Sequence, residues 1–218
     1  MKVISSVGAK GGSGKSSVSL LLAWELTQKH KAKVALFDSD VQGTCLSAKN
    51  LNPSLPFDVL SVLDKPTLLA NGKRCEAENF DYLIIDGNPR SLHEDPSFIE
   101  CIAKISDLNL VISRPSPRDL RAQIKYVDLV KRATKGHIRL LWNFYQKNTG
   151  AHREGVPEGE ELLGLKSIQT KIGLRIIYQD IGYSESFIGD FGNNEAAQEI
   201  RALGTEIQEL LNEKNIRS

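Results

Sequence analysis

The sequence predicts an α/β fold in which a mostly parallel twisted sheet carries helices on both faces. Two observations lead to this prediction. Short, fully apolar runs alternate with longer segments whose apolar residues recur at helical spacing, which is typical of parallel strands covered on both sides. A glycine-rich segment, residues 10–16, follows the first apolar run and precedes the first helical segment. That order is the one found in phosphate-binding loops.

Length and composition limit the remaining possibilities. The 218 residues suit one well-cored unit, and we predict a single domain over 1–218. The formal net charge of +1 predicts no general attraction to nucleic acid, so such binding would need a local basic patch. Cys45, Cys75 and Cys101 are widely spaced, which argues against a disulfide framework or a metal cluster. Because no apolar run approaches about 18 residues and the N-terminus has no signal-peptide pattern, we expect a soluble, cytoplasmic protein.

The predicted elements follow one another in a regular order. Strands are predicted at 3–7, 33–37, 81–85, 108–112 and 138–144. The first helix is expected at about 16–29, directly after the glycine-rich segment. Another follows Pro117 and places Leu120, Ile124 and Val127 on one apolar face. The last helix is expected at about 195–212.

Two segments have a composition that argues against a regular helix or strand. Residues 52–79 contain three prolines and a glycine, which interrupt any regular pattern. Residues 150–159 are rich in glycine and charge and contain Pro157, and this composition predicts a mobile loop.

The glycine-rich segment predicts a site for ATP and Mg²⁺. Such a loop between a strand and a helix leaves backbone N–H groups free to surround phosphate oxygens, and the helix N-terminus adds positive potential. Lys15 would reach the β- and γ-phosphates, and the Ser16 hydroxyl would bind Mg²⁺. Ala9 stands where the strict form of the motif has glycine. The predicted nucleotide-binding residues of this segment are Lys10, Gly11, Gly12, Ser13, Gly14, Lys15, Ser16 and Ser17.

Three aspartates are expected at the same edge of the sheet. Asp86 ends the 81–85 strand, where a carboxylate can hold the metal through water. Asp38 and Asp40 end the 33–37 strand two residues apart, so their side chains are expected on one side. One could support the magnesium ion while the other orients an attacking water, although aspartates also form turns in such places. Ligands of parallel sheets bind at the carboxyl ends of the strands, where all three fall.

Several motifs together resemble a known family. Residues 10–16 match the deviant Walker A motif K-G-G-x-G-K-S/T, and residues 38–43 match D-x-D-P-Q-G with Val41 in place of proline. Residues 86–89 read D-G-N-P where the family commonly has D-x-P-P. Residues 114–119 and 172–178 resemble its P-S-P-x-D turn and its late I-x-x-R-x-x-Y/F element. The chain is similar to the ParA/MinD family of deviant Walker A P-loop ATPases, most of all to small ParA-type partition proteins without an N-terminal helix-turn-helix.

The resemblance implies roles for individual residues. Lys10 would reach across an ATP-bound homodimer to the partner's phosphates, Asp40 would position the hydrolytic water, and Asn143 would contact adenine. The catalytic residues implied are Lys10, Lys15 and Asp40, and the magnesium residues are Ser16, Asp38 and Asp86. ATP hydrolysis would be weak until a partner protein stimulates it.

The resemblance also implies partners. The ATP-bound dimer would bind non-specific DNA, associate with the nucleoid, and segregate a plasmid, chromosome or other cargo through a ParB-like or small centromere-binding adaptor. The candidate DNA contacts are Arg118, Arg121, Lys125 and Arg132, which recur at helical spacing, with Arg175 and Arg201 by analogy. An ordinary solvated helix face is the alternative for this basic stripe. The tail 212–218 has one large apolar residue, too little for a MinD-like membrane helix, so no membrane partner is expected.

A second class of function stays open. A metabolic ligase of the dethiobiotin-synthetase type also has a P-loop and uses ATP to activate a carboxylate. Such an enzyme would need a small-molecule pocket, and it would have no use for a Lys10 that crosses a dimer. Hydrolysis that depends on DNA and on dimerisation would favour the positioning ATPase.

Overall fold

The computed structural model describes residues 1–88, 91–178 and 194–212. Within these ranges the strands are β1 (Lys2–Val7), β2 (Val34–Asp38), β3 (Asp58–Ser61), β4 (Tyr82–Asp86), β5 (Leu108–Ser113), β6 (His137–Tyr145) and β7 (Ser167–Gly173). The helices are α1 (Lys15–Gln28), α2 (Thr44–Leu51), α3 (Lys65–Ala77), α4 (Ser91–Glu94), α5 (Pro96–Ile105), α6 (Pro117–Ala133), α7 (Gly150–Leu163) and α8 (Glu195–Asn212). A short 3-10 helix spans Ile176–Tyr178.

The seven described strands form one sheet in the order β3-β2-β4-β1-β5-β6-β7. Every neighbouring pair runs parallel. β1 therefore lies at the centre, and successive strands are connected through helices, as parallel pairing requires. The predicted α/β class with a parallel sheet is confirmed.

Two apolar clusters hold the helices on opposite faces of the sheet. One cluster joins α1, α2 and α8 to alternate strand residues such as Ile4. The other joins α3, α5, α6 and α7 to the intervening residues such as Val3. This alternation follows from the two-residue period of a strand, which turns successive side chains to opposite faces. The inner strands β2, β4 and β5 are mostly apolar because both of their faces are covered.

The predicted strands and the first and last helices lie within two residues of the observed elements. The apolar face predicted for α6 was wrong at one position, because Ile124 is 37% exposed whereas Leu120 and Val127 are buried. The buried face of α6 instead includes Gln123 and Tyr126. A polar glutamine therefore occupies a core position that an apolar-periodicity search does not count.

The segment 52–79 contains β3 and α3. Its prolines mark boundaries, since Pro66 lies in the first turn of α3, where its missing N–H needs no partner. The Asp64 side chain caps this helix by accepting a hydrogen bond from the Thr67 N–H at 2.7 Å. A short strand and a capped helix thus fill a segment that appeared irregular by composition.

The prediction of a mobile loop at 150–159 was wrong, because α7 covers this segment. Its glycines allow close packing. A Cβ at Gly155 would lie 2.6 Å from the Pro115 carbonyl oxygen, and one at Gly159 would lie 2.5 Å from the Trp142 ring. Tertiary packing therefore outweighs the low helix propensity of glycine and proline here.

Candidate nucleotide-binding site

The predicted site residues meet at the carboxyl edge of three neighbouring strands. β4 lies between β2 and β1, with Asp86 in register with both Asp38 and Ser6. The glycine-rich loop begins immediately after β1. The structure therefore brings Asp38, Asp86 and the loop together, as their positions at strand ends predict.

The loop has a backbone that only glycine adopts without strain. Gly12 and Gly14 have positive φ values of 70° and 89°, and Gly14 is the N-cap of α1. A Cβ at Gly14 would lie 2.0 Å from Asn143 Nδ2, the same atom that donates a 2.8 Å hydrogen bond to the Ser13 carbonyl. Asn143, from β6, thus packs directly on the loop.

The inner side of the loop carries groups that suit a phosphate. The Lys15 ammonium donates to the Lys10 carbonyl at 2.9 Å, and the residue is 6% exposed. Burial lowers the pKa of Lys15, while the charges of Asp86 and Asp40 raise it. Among the described residues, the buried Ser13 hydroxyl has no hydrogen-bond partner. A phosphate oxygen would accept from this unpaired donor, so the loop fits the group that the sequence predicts.

Asp86 is a carboxylate surrounded by donors. It is 1% exposed, and burial raises its pKa to about 7, although a hydrogen bond from the Ser16 hydroxyl opposes this shift. The Ser19 hydroxyl lies 3.4 Å from Oδ1, and the Cys45 thiol donates to Oδ2 at 3.3 Å. Ser19 and Cys45 were not predicted, since neither belongs to a motif and only the fold brings them to Asp86.

Asp38 and Asp40 both hold the turn after β2. The carboxylate of Asp38, which is fully buried, accepts from the Asp40 N–H at 3.1 Å and the Leu46 N–H at 3.0 Å. Burial raises the pKa of Asp38, and these backbone hydrogen bonds lower it. The carboxylate of Asp40 is partly exposed and accepts from the Gln42 N–H at 3.0 Å. Of the two, Asp40 is the carboxylate that a bound water can reach.

The protein oxygens at this site suit Mg²⁺ only if phosphate oxygens of the nucleotide complete its ligands. Within the described ranges, no group of three or more His, Cys, Asp or Glu could hold a metal ion. Mg²⁺ prefers oxygen ligands, keeps several waters, and usually takes one or two carboxylates together with substrate phosphates. The Ser16 hydroxyl and the Asp86 carboxylate supply protein oxygens of this kind.

Lys10 lies on the outer side of the loop, paired with a carboxylate that the sequence did not single out. Its ammonium contacts Asp119 Oδ1. The Asp119 side chain is 3% exposed and that of Lys10 is 33% exposed. Loss of hydration and the charges of Arg118 and Arg114 lower the pKa of Lys10, whereas the Asp119 carboxylate opposes that shift. The P-S-P-x-D match was the signal that could have identified Asp119.

A small cavity lies beside the loop on the β6 and β7 side. Its volume is about 130 Å³, and its lining includes Ser17, Asn143, Phe144, Ile172 and Tyr178. Ser17 and Asn143 are the two predicted nucleotide contacts outside residues 10–16. The fold therefore places both residues in the lining of one cavity next to the phosphate loop.

The candidate DNA contacts differ in their surroundings. Four lie on α6 and are exposed, namely Arg118, Arg121, Lys125 and Arg132. Arg175, by contrast, forms ion pairs with Glu195 at 2.7 Å and Glu199 at 2.6 Å. Arg201 is partly exposed. Burial raises the pKa of Glu25, and the charge of Arg201 opposes that shift. Of the candidate DNA contacts, only those on α6 form an exposed basic face.

Two sequence observations fall on residues outside the described ranges. These are Pro89 in the D-G-N-P segment and residues 213–218, on which the expectation of no membrane helix depends. Among the helices that are described, none is long and apolar enough to span a membrane.

Comparison with known proteins gives a family match over most of the chain. Residues 4–183 match the model for the CobQ/CobB/MinD/ParA nucleotide binding domain, CbiA. Maintenance of carboxysome distribution protein A from Halothiobacillus neapolitanus is 27% identical to this chain, and the match covers 94% of this chain and 92% of that protein.

Solved structures share the fold. The MinD cell division protein from Aquifex aeolicus has a TM-score of 0.78 at 17% identity, with 96% of this chain and 98% of that chain covered. The septum site-determining protein MinD from Pyrococcus horikoshii, complexed with Mg-ADP, has a TM-score of 0.68 at 16% identity, with 97% of each chain covered.

Proposed function

Because this chain belongs to the family of CobQ/CobB/MinD/ParA nucleotide binding domains, we propose that it is a dimerising ATPase that positions a cargo. In this proposal residues 1–218 act as a single ATPase domain that binds ATP with Mg²⁺. The ATP-bound homodimer binds non-specific DNA. An adaptor protein stimulates ATP hydrolysis, and hydrolysis releases the protein from the DNA. The relatives' names refer to cell division and carboxysome distribution, so a protein compartment is a candidate cargo beside a plasmid or chromosome.

The difference between the two loop lysines carries this proposal. Lys15 is buried and donates back into its own loop, whereas Lys10 is one-third exposed on the outer side. A lysine on the outer side is available to a second copy of the chain once its pairing with Asp119 is exchanged for a phosphate. Positive charge supplied there would stabilise the charge that develops on the transferring phosphoryl group.

Hydrolysis needs a positioned water and a neutralised phosphate chain. We assign the water to Asp40, because its carboxylate is partly exposed at the site edge. Ser16 and Asp86 would hold the magnesium ion, with Asp38 supporting the turn beside it. Magnesium, when bound, neutralises charge on the β- and γ-phosphates. Ser17 and Asn143 would contact the adenosine part of the nucleotide.

The exposed basic face of α6 is the proposed DNA surface. Arg118, Arg121 and Lys125 lie at helical spacing and are all exposed, which suits contacts with successive phosphates. The metabolic ligase is not favoured, because the relative from Halothiobacillus neapolitanus is named for carboxysome distribution and the structure from Aquifex aeolicus for cell division.

Fluorescence anisotropy of a random-sequence duplex tests the proposal. The protein is titrated with ATP-Mg²⁺, with ADP-Mg²⁺ and without nucleotide, each at 50 mM and 200 mM salt as representative concentrations. We expect binding only with ATP-Mg²⁺, and a loss of affinity of about tenfold or more at the higher salt because phosphate contacts release counterions.

Lys15→Ala is the matched control, since it removes the inner lysine of the nucleotide site and leaves α6 intact. It should bind no DNA in any nucleotide state. Equal DNA binding with and without nucleotide, or no binding in any state, would contradict the nucleotide-switched model and shift weight to the ligase.

A further inference from the structure

We infer that Arg114 is a third cation of the nucleotide site, which binds the inner phosphates of ATP and ADP on the base side of the glycine loop. The inference rests on the proposed function, because it presumes that a nucleotide occupies this loop. Arg114 begins the 114–119 segment but has no role in its P-S-P-x-D pattern, and its sequence neighbours place it with the basic surface of α6. Its contacts place it with the loop instead.

Arg114 directly follows β5, the strand next to β1, so it emerges beside the glycine loop. Its Nη2 donates a 2.9 Å hydrogen bond to the Gly12 carbonyl. Arg118 and Arg121, one and two turns further on, are exposed on α6. Arg114 is thus the arginine of this region that reaches the loop backbone.

Phe144 fixes the plane of the Arg114 guanidinium. The guanidinium carbon lies 4.4 Å from the centroid of the Phe144 ring, a distance at which a cation is attracted to the ring face. Phe144 follows Asn143 and has a positive φ of 55°, which is unusual for a bulky residue and is typical of functional sites. The arginine is therefore oriented before any ligand binds.

Positive charge exceeds negative charge at this side of the loop. Asp119, nearly buried, is the carboxylate that contacts Lys10 and lies 3.8 Å from Arg114 Nε. One carboxylate therefore faces two cations, and the Arg114 side chain remains 46% exposed. A bound nucleotide would supply the missing negative charge, and arginine is well suited to phosphate oxygens.

The strand order assigns Arg114 to the inner phosphates. Asp86 and Asp38, the predicted magnesium residues, lie on β4 and β2 on one side of β1. Mg²⁺ held by these residues would neutralise the terminal phosphates of ATP, so the terminal phosphate belongs on that side. Asn143, the predicted adenine contact, lies on β6 on the other side. Because β5 lies between β1 and β6, Arg114 faces the part of the nucleotide that ATP and ADP share.

Four variants measured by titration with fluorescent ATP and ADP in Mg²⁺ test this assignment. Arg114→Lys keeps the charge, Arg114→Gln keeps a donor for the Gly12 carbonyl without the charge, and Arg114→Ala removes both. Arg74→Gln is the control, an arginine of similar exposure on α3 that pairs with Glu78. We expect Arg114→Gln and Arg114→Ala to weaken ATP and ADP equally, by about tenfold, as for loss of a charged hydrogen bond. Arg114→Lys keeps the charge but loses the planar guanidinium, so it should weaken both nucleotides less than Arg114→Gln does, and Arg74→Gln should be unchanged.

Two results would overturn the inference. If Arg114→Gln binds both nucleotides like the unaltered protein, Arg114 contributes no charge to the site. If ATP is weakened much more than ADP, the residue contacts the terminal phosphate instead. Thermal melting of each variant identifies any loss of folding. An unaltered protein that binds neither nucleotide would instead contradict the proposed function itself, so the two failures are distinguishable.

Discussion

The nucleotide edge of the sheet and the outer face of α6 both concentrate charged residues, but they treat charge in opposite ways. At the edge, Lys15, Asp38 and Asp86 are nearly or fully buried. On α6, Arg118 and Arg121 are exposed to water. Burying charge is unfavourable unless partners or a ligand compensate, whereas a solvated charge has almost no cost. The buried charges therefore identify the sheet edge as a binding site. The exposed charges of α6 do not identify a site by themselves, so the role of that face has to be established by functional tests.

This contrast predicts that changes at the edge alter the folded chain itself, and that changes on α6 alter only what it binds. The largest effect is expected for Gly14→Ala. An alanine there would adopt a left-handed backbone, which costs roughly 1–2 kcal/mol, and its Cβ would displace Asn143 from the Ser13 carbonyl. Loss of that hydrogen bond adds roughly 1–3 kcal/mol. We expect the free energy of unfolding to fall by about 3 kcal/mol in urea denaturation, and nucleotide binding to be lost.

Gly11→Ala in the same loop is the control for stability. A Cβ at Gly11 would meet nothing within 4 Å, so its free energy of unfolding should stay within about 0.5 kcal/mol. Equal stability of the two variants would contradict the packing of Asn143 on Gly14.

The second prediction concerns Asp86, whose pKa is raised by burial to about 7, above an unfolded value of about 3.9. Between these pH values the folded chain holds a proton that the unfolded chain has released, so stability falls as pH rises from about 4 to 7. Asp86→Asn removes this ionisation. Without nucleotide or Mg²⁺, we expect the variant to be more stable by about 2 kcal/mol at pH 8, within the limit of 1.36 kcal/mol per pKa unit.

The gain should vanish near pH 4, where Asp86 is protonated in the folded chain. Asp128→Asn on the exposed face of α6 should change stability by less than about 0.5 kcal/mol at either pH. Denaturation curves at the two pH values measure these differences in the free energy of unfolding. If Asp86→Asn is less stable than the unaltered protein at pH 8, the buried Asp86 carboxylate does not destabilise the fold as predicted.

The same contrast explains what could be predicted from the sequence. Asp38, Asp86 and the loop follow from local patterns, because strand ends and glycine spacing are visible along the chain. Asp119, Cys45 and Arg114 act through contacts between residues distant in sequence, such as Lys10 with Asp119. The P-S-P-x-D pattern marks Asp119 as a residue of interest, but no local pattern indicates which residues these three side chains contact.

Composition also gave wrong or incomplete structure where packing decides the outcome. Residues 150–159 form part of α7 because Gly155 and Gly159 let the helix approach Pro115 and Trp142 closely. Residues 52–79 contain a strand and a helix whose proline lies in the first turn. In these segments glycine allows close packing and proline begins a helix, although composition alone predicts irregular structure for both residue types.

The smallest effect on the folded chain is expected from the triple variant Arg118→Ala, Arg121→Ala and Lys125→Ala. These side chains are exposed, so the free energy of unfolding should change by less than about 0.5 kcal/mol per site. If they contact DNA phosphates, the affinity of the ATP-bound protein for duplex DNA should fall by about tenfold or more, and the slope of log affinity against log salt should decrease by up to about 3.

A second triple variant distinguishes the effect of this surface from the effect of net charge. It combines Lys29→Ala, Lys73→Ala and Arg74→Ala, which also remove three positive charges, but from exposed positions at the end of α1 and on α3. Anisotropy titrations over a salt series should show full DNA affinity and an unchanged slope for this variant. Equal losses in both triple variants would mean that α6 acts only through the overall field of the protein, and its basic stripe would then be an ordinary solvated face.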